Sequence, residues 1–300
     1  MRAVQYTEFG GPEVLQVADV PEPHAESSQI RVAVRAVGVN PIDWKVRSGA
    51  MGGGDLPRGT GVEAAGVVDE VGDGVTDVST GDRVFGSAAN AAAEFAVMSH
   101  FAPIPASLDF TGAAALPVAV ETAARCLDLL GVADGQTLLI NGASGGVGLA
   151  AVQLARGRGA RVIGSGGPHS QDRLREYGAE PVVYGDGMAE QVRALAPDGV
   201  DRAIDMALSG GIATLVELAG GADNVVAIAD FAGAQEHGVR FTGGGDEPRA
   251  WYAWRDVAEL IDAGRFSLPV AHVLPLSQIA EAHRLSESGH AGGKIVLTVD

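Results

Sequence analysis

The sequence predicts an α/β protein in which a doubly wound parallel sheet is joined to a second, β-rich part. From Thr137 onward, short apolar segments alternate regularly with helical ones, beginning with TLLIN, GVGLAAVQLARGRG and ARVIGS. This alternation is typical of a parallel sheet that is covered by helices on both faces. Nearer the N-terminus the segments are short, are broken by turns and alternate apolar with polar residues, as in QIRVAVRAVGVN. That second pattern favours antiparallel strands.

The N-terminal part is predicted to consist mainly of strands, which are expected over RAVQYTEFG, LQVADV, QIRVAVRAVGVN and EAAGVVDEVG. A short helix is predicted from Pro41 to Ser48, and a glycine-rich loop from Gly49 to Gly54. The Ala- and Leu-rich segment TGAAALPVAVETAARCLDLLG predicts a helix between the two parts. Proline lacks an N–H and clashes with the preceding helical turn, so Pro117 should kink or divide this helix.

The end of the chain continues the alternation of strands and helices. After the strand NVVAIAD, the predicted elements are VRFTG, WRDVAELIDAG, HVLPL, SQIAEAHRLSESG and KIVLTV. The pattern leaves open whether the last pieces return to the β-rich part or stay with the parallel sheet.

A glycine-rich turn stands between the strand TLLIN and the helix that follows it. The turn runs from Gly142 to Gly148 and reads GASGGVG. Glycines at such a turn let backbone N–H groups approach a pyrophosphate, which the start of the helix then stabilises through its unsatisfied donors and its dipole. The strand, turn, helix and strand context predicts a dinucleotide site rather than a turn without a ligand. The residues predicted to contact the cofactor here are Ser144, Gly145, Gly146 and Val147.

The end of the second strand indicates which nicotinamide cofactor is bound. An NAD site usually places Asp or Glu there to hold the ribose 2′-hydroxyl, and such an acid would repel a 2′-phosphate. This strand instead reaches Gly164 and Ser165 with no acid, and His169 and Arg173 follow as possible phosphate donors. NADPH is therefore predicted over NADH, with the alternative that His169 and Arg173 are ordinary surface residues.

A serine hydrolase is a competing interpretation of the same turn, because GASGG also satisfies the G-x-S-x-G pattern of a nucleophile elbow. Ser144 would be the nucleophile, Asp205 or Asp230 the acid and His283 the base. An elbow also needs an oxyanion hole from an earlier loop, and no HGGG-like segment precedes this one. The hydrolase is the less favoured hypothesis.

Composition excludes several other classes of protein. The chain has 300 residues, and 38 acidic against 21 basic side chains give a net charge of −17, which argues against a nucleic-acid partner. With 46% hydrophobic residues it has ample material for a core, and two domains are expected. The single cysteine, Cys126, excludes an internal disulfide and multi-cysteine metal sites. No targeting segment or membrane-spanning run is found, so a cytoplasmic protein is expected.

Taken together, these segments resemble the medium-chain dehydrogenase/reductase superfamily, and within it the zinc-free quinone oxidoreductase branch. The segments that carry the resemblance are GVNPIDWKVRSG, GTGVEAAGVVDEVG, ALPVAVETA, NGASGGVGLAAVQLA and AHRLSESGHAGGKIVLTV. The resemblance implies a GroES-like catalytic domain over residues 1–117 and 267–300 and a Rossmann NADP-binding domain over 118–266. It also implies a homodimer and NADPH-dependent reduction of quinones or activated alkenes.

The same resemblance implies roles for residues of the NPIDWK segment. Asn40 and Asp43 would line the cleft near the nicotinamide, Asn40 as a hydrogen-bond donor and Asp43 as an orienting group. Lys45 departs from the branch, whose close members usually have a tyrosine there; its ammonium could stabilise an oxyanion or deliver a proton. Related enzymes bind catalytic zinc through a Cys and a His, but Asn40 and Val62 stand at those positions. No metal is therefore expected.

Four further residues are expected at the cofactor: Thr122, Ile228, Ala229 and Lys294. Ile228 and Ala229 end a strand, and ligands of open α/β sheets bind at the carboxyl ends of strands. The predicted reaction is hydride transfer from NADPH to a conjugated acceptor, either a quinone or the β-carbon of an α,β-unsaturated carbonyl. The alternatives are an enoyl or alkenal double-bond reductase of the same superfamily, a module that binds the cofactor without turnover, and the hydrolase.

Overall fold

The computed structural model describes residues 1–243 and 247–300, which divide into two units. The β-rich unit comprises Met1–Val118 and Trp251–Asp300, and the parallel-sheet unit comprises Ala119–Ala250. Within the described ranges, every helix is too short or too polar to span a lipid bilayer.

The described chain contains fifteen strands and ten α-helices. In the first segment of the β-rich unit these are β1 (Arg2–Tyr6), β2 (Gln16–Asp19), β3 (Ile30–Val39), α1 (Pro41–Arg47), β4 (Arg58–Gly59), β5 (Glu63–Val71), β6 (Arg83–Ala88), β7 (Phe95–Pro103) and α2 (Phe110–Ala114). Next come α3 (Pro117–Leu129), β8 (Thr137–Asn141), α4 (Gly146–Gly157), β9 (Arg161–Gly166), α5 (Gln171–Glu176), β10 (Glu180–Val183), α6 (Met188–Leu195), β11 (Arg202–Asp205), α7 (Ile212–Leu218), β12 (Val225–Ala227), α8 (Phe231–Glu236) and β13 (Arg240–Phe241). The chain ends with α9 (Ala253–Asp262), β14 (Val270–Pro275), α10 (Ile279–Glu287) and β15 (Lys294–Thr298).

The parallel-sheet unit has six strands in the order β10-β9-β8-β11-β12-β13, and all neighbouring pairs are parallel. Counted from β8, this is the strand order 3-2-1-4-5-6 of a doubly wound dinucleotide-binding sheet. The residues of β8, β9 and β11 are mostly apolar and buried, as expected when helices cover both faces. The predicted fold class is therefore confirmed for this unit.

The β-rich unit contains a six-stranded sheet in the order β14-β15-β3-β5-β6-β7 and a small sheet in the order β2-β1-β4. Every pairing is antiparallel except that between β14 and β15. The last strand pairs with β3, with Ile295 opposite Val39, so the end of the chain does return to this unit. Alternate residues of β3, such as Ile30, Val32 and Val34, point into its core and are buried.

The linking region forms two helices rather than a single continuous one. α2 ends at Ala114 and α3 begins at Pro117, so the proline divides the segment as predicted. Proline suits the first position of a helix because the N–H that it lacks has no intrahelical partner there.

The second domain boundary lies earlier in the sequence than expected. The family resemblance implies that residues up to 266 belong to the dinucleotide-binding domain, whereas the β-rich unit resumes at Trp251. The reason is aromatic packing within the β-rich unit: Trp251 stacks on His100 and Trp254 packs on Phe85, at ring-centroid distances of 4.7 and 6.0 Å. Trp254 also donates a hydrogen bond from Nε1 to the carbonyl of Pro117 (2.9 Å).

Candidate functional site

The glycine-rich turn connects the end of β8 to the start of α4. Gly142 has φ +82°, a left-handed conformation that glycine adopts without strain. At Gly148, a Cβ would lie 2.4 Å from the carbonyl oxygen of Gly142 and 2.6 Å from the backbone of Ala143. Both positions therefore require glycine, one for conformation and the other for close packing of the helix on the turn.

The start of α4 offers backbone donors that no side chain covers. The first N–H groups of an α-helix lack intrahelical partners. Here the residue before the helix is Gly145, which has no side chain with which to cap them. Of the four residues predicted at this place, Gly145 is exposed and Ser144, Gly146 and Val147 are partly exposed. An anion can therefore reach the positive end of this twelve-residue helix.

Three buried polar side chains support the turn from the ends of neighbouring strands. Asn141, the last residue of β8, lies opposite Asp205, the last residue of β11, and donates from Nδ2 to Oδ1 of Asp205 (2.7 Å). Ser165 of β9 donates from Oγ to Oδ1 of Asn141 (2.6 Å) and accepts from the N–H of Gly142 (3.1 Å). All three side chains are at most 1% exposed.

Asp205 is a fully buried carboxyl group. Burial raises its pKa to about 6, the hydrogen bond from Asn141 opposes that rise, and the negative charge of Asp230 adds to it. Its Oδ2 atom has no hydrogen-bond partner among the described residues.

The end of β9 carries two of the residues predicted to contact the cofactor, Gly164 and Ser165. At Gly164 a Cβ would lie 2.8 Å from the Cβ of Ala143, so this glycine lets the strand pack against the turn. Ser165 was expected to contact the cofactor phosphate, but its hydroxyl is buried and both of its hydrogen bonds hold the turn. His169 is exposed in the loop after the strand, and Arg173 is partly buried in α5.

Tyr184 is a residue of this edge that the sequence analysis missed. It follows β10, donates its N–H to the carbonyl of Gly166 (3.3 Å), and is 51% exposed. A Cβ at Gly167 would lie 3.5 Å from its ring. An aromatic residue at the carboxyl end of a predicted parallel strand was the available signal.

The remaining predicted residues of the parallel-sheet unit lie on α3 and after β12. Ile228 and Ala229 directly follow β12 and are partly exposed, and Ile228 donates its N–H to the carbonyl of Asp205 (3.0 Å). They therefore lie at the carboxyl edge of the sheet, as expected. Thr122 is partly exposed on α3. Cys126 on the same helix is buried, which raises the pKa of its thiol to about 12 and makes it a poor ligand or nucleophile.

In the β-rich unit the structure brings Asn40, Asp43 and Lys294 together around Glu63. Lys294 donates from Nζ to Oε1 of Glu63 (2.7 Å) and to Oδ1 of Asn40 (2.5 Å). Asn40 donates from Nδ2 to the same Oε1 (2.7 Å), and the N–H of Val118 donates to Oε2 (2.7 Å). Lys294 was expected at the cofactor, yet its ammonium is buried against these two partners. Glu63 was not predicted as a site residue.

Asp43 fixes the start of α1. Its carboxylate accepts a hydrogen bond from the N–H of Asn40 (2.7 Å), the residue that precedes the helix. Burial raises the pKa of Asp43 to about 7; the bond from Asn40 opposes this shift, and the carboxylate of Glu63 adds to it. Asp43 thus orients the backbone of Asn40.

Lys45 lies on the same helix and is partly exposed. Its Nζ is 5.8 Å from the centroid of the Trp44 ring. Arg47, by contrast, is only 2% exposed and bonds to the carbonyl of Gly10, to His283 and to Glu287. It is therefore a structural residue, and Lys45 is the cation of α1 that a small molecule can reach.

The contacts of His283 argue against the serine hydrolase hypothesis. His283, the base of the hydrolase hypothesis, is buried beside Arg47 with its Nδ1 3.3 Å from that guanidinium; burial, followed by the charge of Arg47, lowers the pKa of His283 to about 3. Such an engaged ring cannot accept a proton from a nucleophile.

Zinc does not fit the donor groups at Asn40. The Glu63 carboxylate bonds to the Asn40 side chain, but the Lys294 ammonium already neutralises it, and a second cation would be repelled. Within residues 1–243 and 247–300, no three His, Cys, Asp or Glu side chains are grouped so as to hold a metal ion.

Comparison with known proteins shows which protein family the chain belongs to. Two family models match: the alcohol dehydrogenase GroES-like domain over residues 26–128 and the zinc-binding dehydrogenase over residues 177–297. Quinone oxidoreductase from Lama guanicoe is 32% identical over 99% of the chain and 97% of its own length. That from Rattus norvegicus is 38% identical over 69% of the chain, a match that spans 65%, just under two thirds, of the rat protein.

Solved structures give the same picture. An NAD-dependent alcohol dehydrogenase has a TM-score of 0.86 at 30% identity, covering 100% of both chains. The quinone oxidoreductase from Coxiella burnetii has a TM-score of 0.83 at 29% identity, covering 100% of this chain and 99% of that one. A mycobacterial protein solved with NADPH has a TM-score of 0.84 at 26% identity over 100% of both chains. The chain therefore belongs to the quinone oxidoreductase family of the medium-chain dehydrogenase/reductase superfamily.

Proposed function

We propose that this protein is an NADPH-dependent, zinc-independent reductase that transfers hydride to quinones or other conjugated carbonyl compounds. The observation that carries the proposal is the uncapped start of α4 behind the turn from Gly142 to Gly148, in a six-stranded sheet of dinucleotide-binding order. Membership of the quinone oxidoreductase family supplies the class of reaction.

The cofactor pyrophosphate is assigned to the start of α4, where Ser144, Gly145, Gly146 and Val147 present backbone to solvent. Preference for NADPH is supported by the end of β9, which carries glycines where an NAD site carries an acid. His169 and Arg173 are assigned to the 2′-phosphate. Ser165 and Gly164 are buried and are assigned to supporting the turn: Ser165 bonds to the N–H of Gly142, and Gly164 packs against Ala143.

When bound, the reduced nicotinamide supplies a hydride to the acceptor. Ile228 and Ala229 are assigned to the nicotinamide end of the cofactor because they follow β12 at the carboxyl edge of the sheet. Thr122 is assigned to the same part of the cofactor by the family resemblance.

The chain's own groups must stabilise the negative charge that develops on the acceptor oxygen. Lys45 is assigned this role because its ammonium is partly exposed on α1. Asn40 and Asp43 are assigned to orientation, since both are buried and bonded to each other through the start of that helix. Quinones and enones are electron-poor, so they can accept hydride without the Lewis acid that simple ketones require.

The test is oxidation of NADPH, followed at 340 nm, with an ortho-quinone and in parallel with a simple enone or enoyl thioester. Turnover of the quinone supports the proposal as stated. Turnover of the enone alone makes the protein an alkene reductase of the same family, which is the second candidate. Binding of NADPH without turnover of any acceptor would indicate a cofactor-binding module.

The proposal also includes the type of substrate, the oligomeric state and the location of the protein. We assign the protein a small-molecule substrate, a homodimeric state and a location in the cytoplasm. Light scattering after size-exclusion chromatography measures the oligomeric state. A fluorophosphonate probe tests the hydrolase alternative directly, because labelling of Ser144 would contradict the reductase.

A further inference from the structure

We infer that Asp205 and Asn141 are positioning residues that set the conformation of the glycine-rich turn for the dinucleotide. The inference rests on the proposed function, since it assumes that this turn binds NADPH. The side chains of Asn141, Ser165 and Asp205 are buried and form a chain of hydrogen bonds that ends at the turn.

The hydrogen bonds among these residues have only one consistent direction when Asp205 is ionised. A carboxylate can only accept, so it selects the NH₂ end of the Asn141 amide (2.7 Å). The carbonyl end of the amide must then face Ser165, whose hydroxyl donates to it (2.6 Å). With its proton used in this way, the Ser165 oxygen is left to accept the N–H of Gly142 (3.1 Å).

These hydrogen bonds hold the glycine-rich turn in its conformation. Ser165 binds the first two N–H groups of the turn, Gly142 through its hydroxyl and Ala143 through its carbonyl (2.8 Å). Gly142 is thereby held at φ +82°, and the turn closes with a bond from the N–H of Gly145 to the carbonyl of Gly142 (3.3 Å). The donors at the start of α4 are the next in the chain, and they remain for the ligand.

The burial of an ionisable group here supports a positioning role rather than a contribution to stability. Asp205 is 0% exposed, its Oδ2 has no hydrogen-bond partner among the described residues, and its backbone carbonyl accepts from Ile228, a residue assigned to the nicotinamide end. A buried carboxyl with an unsatisfied atom is unfavourable for folding. An apolar residue at this strand end would avoid that cost but could not orient the amide of Asn141.

The experiment measures the Kd for NADPH by fluorescence titration, and the free energy of unfolding by urea, for the full-length protein and its variants. Asn141→Ala and Asp205→Ala are expected to raise the Kd about tenfold, because each removes a bond to a charged or buried partner. Asp205→Asn should stay within about threefold of the natural protein, since its amide oxygen accepts the same bond. Ser165→Ala removes the hydroxyl's bonds to Gly142 and Asn141 but keeps the backbone bond to Ala143, and it should weaken binding about fivefold.

Asn224→Ala is the matched control. Asn224 belongs to the same unit, and its side chain makes two hydrogen bonds, to the Ala219 carbonyl and from Arg202, against three for Asn141. It precedes β12 at the opposite end of the strands. It should lower the free energy of unfolding without changing the Kd for NADPH. In steady state, Asn141→Ala should raise the KM for NADPH while kcat at saturating NADPH and the KM for the acceptor stay unchanged.

The outcomes separate this inference from the proposed function. If the natural protein binds NADPH and the Asn141, Ser165 and Asp205 variants bind it equally well, the inference is wrong and the proposed function stands. If Asn224→Ala weakens NADPH binding as much as Asn141→Ala, the effect is one of general stability and the inference is again wrong. If the natural protein does not bind NADPH, both are wrong.

Discussion

The ammonium nitrogen of Lys294 lies 2.7 Å from Oε1 of Glu63, and both side chains are buried within the β-rich unit. Lys294 begins the last strand and Glu63 begins β5, so the ion pair joins residues 231 positions apart in the chain. A buried charge without its partner is strongly destabilising, whereas removal of both charges is often tolerated.

Lys294→Met is therefore expected to lower the free energy of unfolding by about 3–5 kcal/mol, as measured by urea denaturation. The double variant Glu63→Gln with Lys294→Met should recover most of that loss, because Gln keeps an acceptor for the N–H of Val118. Lys45, the chain's other lysine, is partly exposed, and Lys45→Met should change stability by less than about 0.5 kcal/mol. A double variant as unstable as Lys294→Met alone would show that the charge pairing is not the cause.

Asp43 should make stability depend on pH near neutrality. Its pKa is about 7 in the folded protein against 3.8 normally, so folding favours the protonated form. This contribution is fully present below pH 3.8 and is lost as the pH rises through 7. Asp43→Asn should therefore be more stable than the natural protein by about 2–4 kcal/mol at pH 8 and gain nothing at pH 4. Equal gains at both pH values would contradict the assigned pKa.

Gly148→Ala should abolish measurable binding of NADPH, because the added Cβ would collide with the backbone of the turn at Gly142 and Ala143. Fluorescence titration gives the Kd. The control is Gly157→Ala at the end of the same helix, where a Cβ would meet nothing within 4 Å. That variant should bind NADPH normally and gain about 0.5–1 kcal/mol of stability. Unchanged binding by Gly148→Ala would remove the turn from the proposed site.

Gly167→Asp should reduce the preference for NADPH over NADH. Gly167 follows β9, its φ of −65° suits any residue, and a Cβ there would be in ordinary contact with Tyr184. The new carboxylate should repel a 2′-phosphate and raise the Kd for NADPH at least about tenfold, with little effect on NADH. Gly167→Asn adds the same shape without the charge and should leave the ratio of the two Kd values near that of the natural protein. If Gly167→Asp raised the Kd values for NADPH and NADH equally, Gly167 would not lie at the 2′-phosphate.

Lys45→Met should lower kcat/KM for a quinone about tenfold without altering the Kd for NADPH, since the ammonium is assigned to the acceptor oxygen in a partly solvated place. Lys45→Arg keeps the charge and should retain most of the activity. Loss of NADPH binding in Lys45→Met, rather than of turnover, would move this lysine to the cofactor.

The fold was largely predictable from the sequence, because its signals are local. The alternation after Thr137 gave the doubly wound sheet, and Pro117 marked the break between α2 and α3. The boundary at Trp251 was not predictable, because it depends on which surface the tryptophans pack against. Within the described chain, that surface includes Phe85 and His100, which are distant in sequence.

The glycine-rich turn of the candidate site was predictable from the sequence, whereas the hydrogen-bond partners of the buried side chains around it were not. Gly145, Gly146 and Gly148 follow from the turn itself. Ser165 and Lys294 were expected at the cofactor, but their polar atoms bond to Gly142, Asn141 and Glu63. Asn141 and Asp205 are each a polar residue at the end of a mostly apolar strand, which is a weak sign of function in a sequence. Their hydrogen bond could not be predicted, because it depends on the pairing of the two strands in the sheet.

The antiparallel pairing of β15 with β3 also constrains the order of folding. During synthesis, the parallel-sheet unit has all its strands once Phe241 is made. Residues 30–33 of β3 can pair with β7 early, whereas residues 36–39 must wait for residues 295–298. Contacts of such long range are slow to form, because the closing loop costs entropy before it gains any contact. Until β15 is made, residues 36–39 of β3 leave a short apolar stretch of strand unpaired on one side, a feature that favours aggregation.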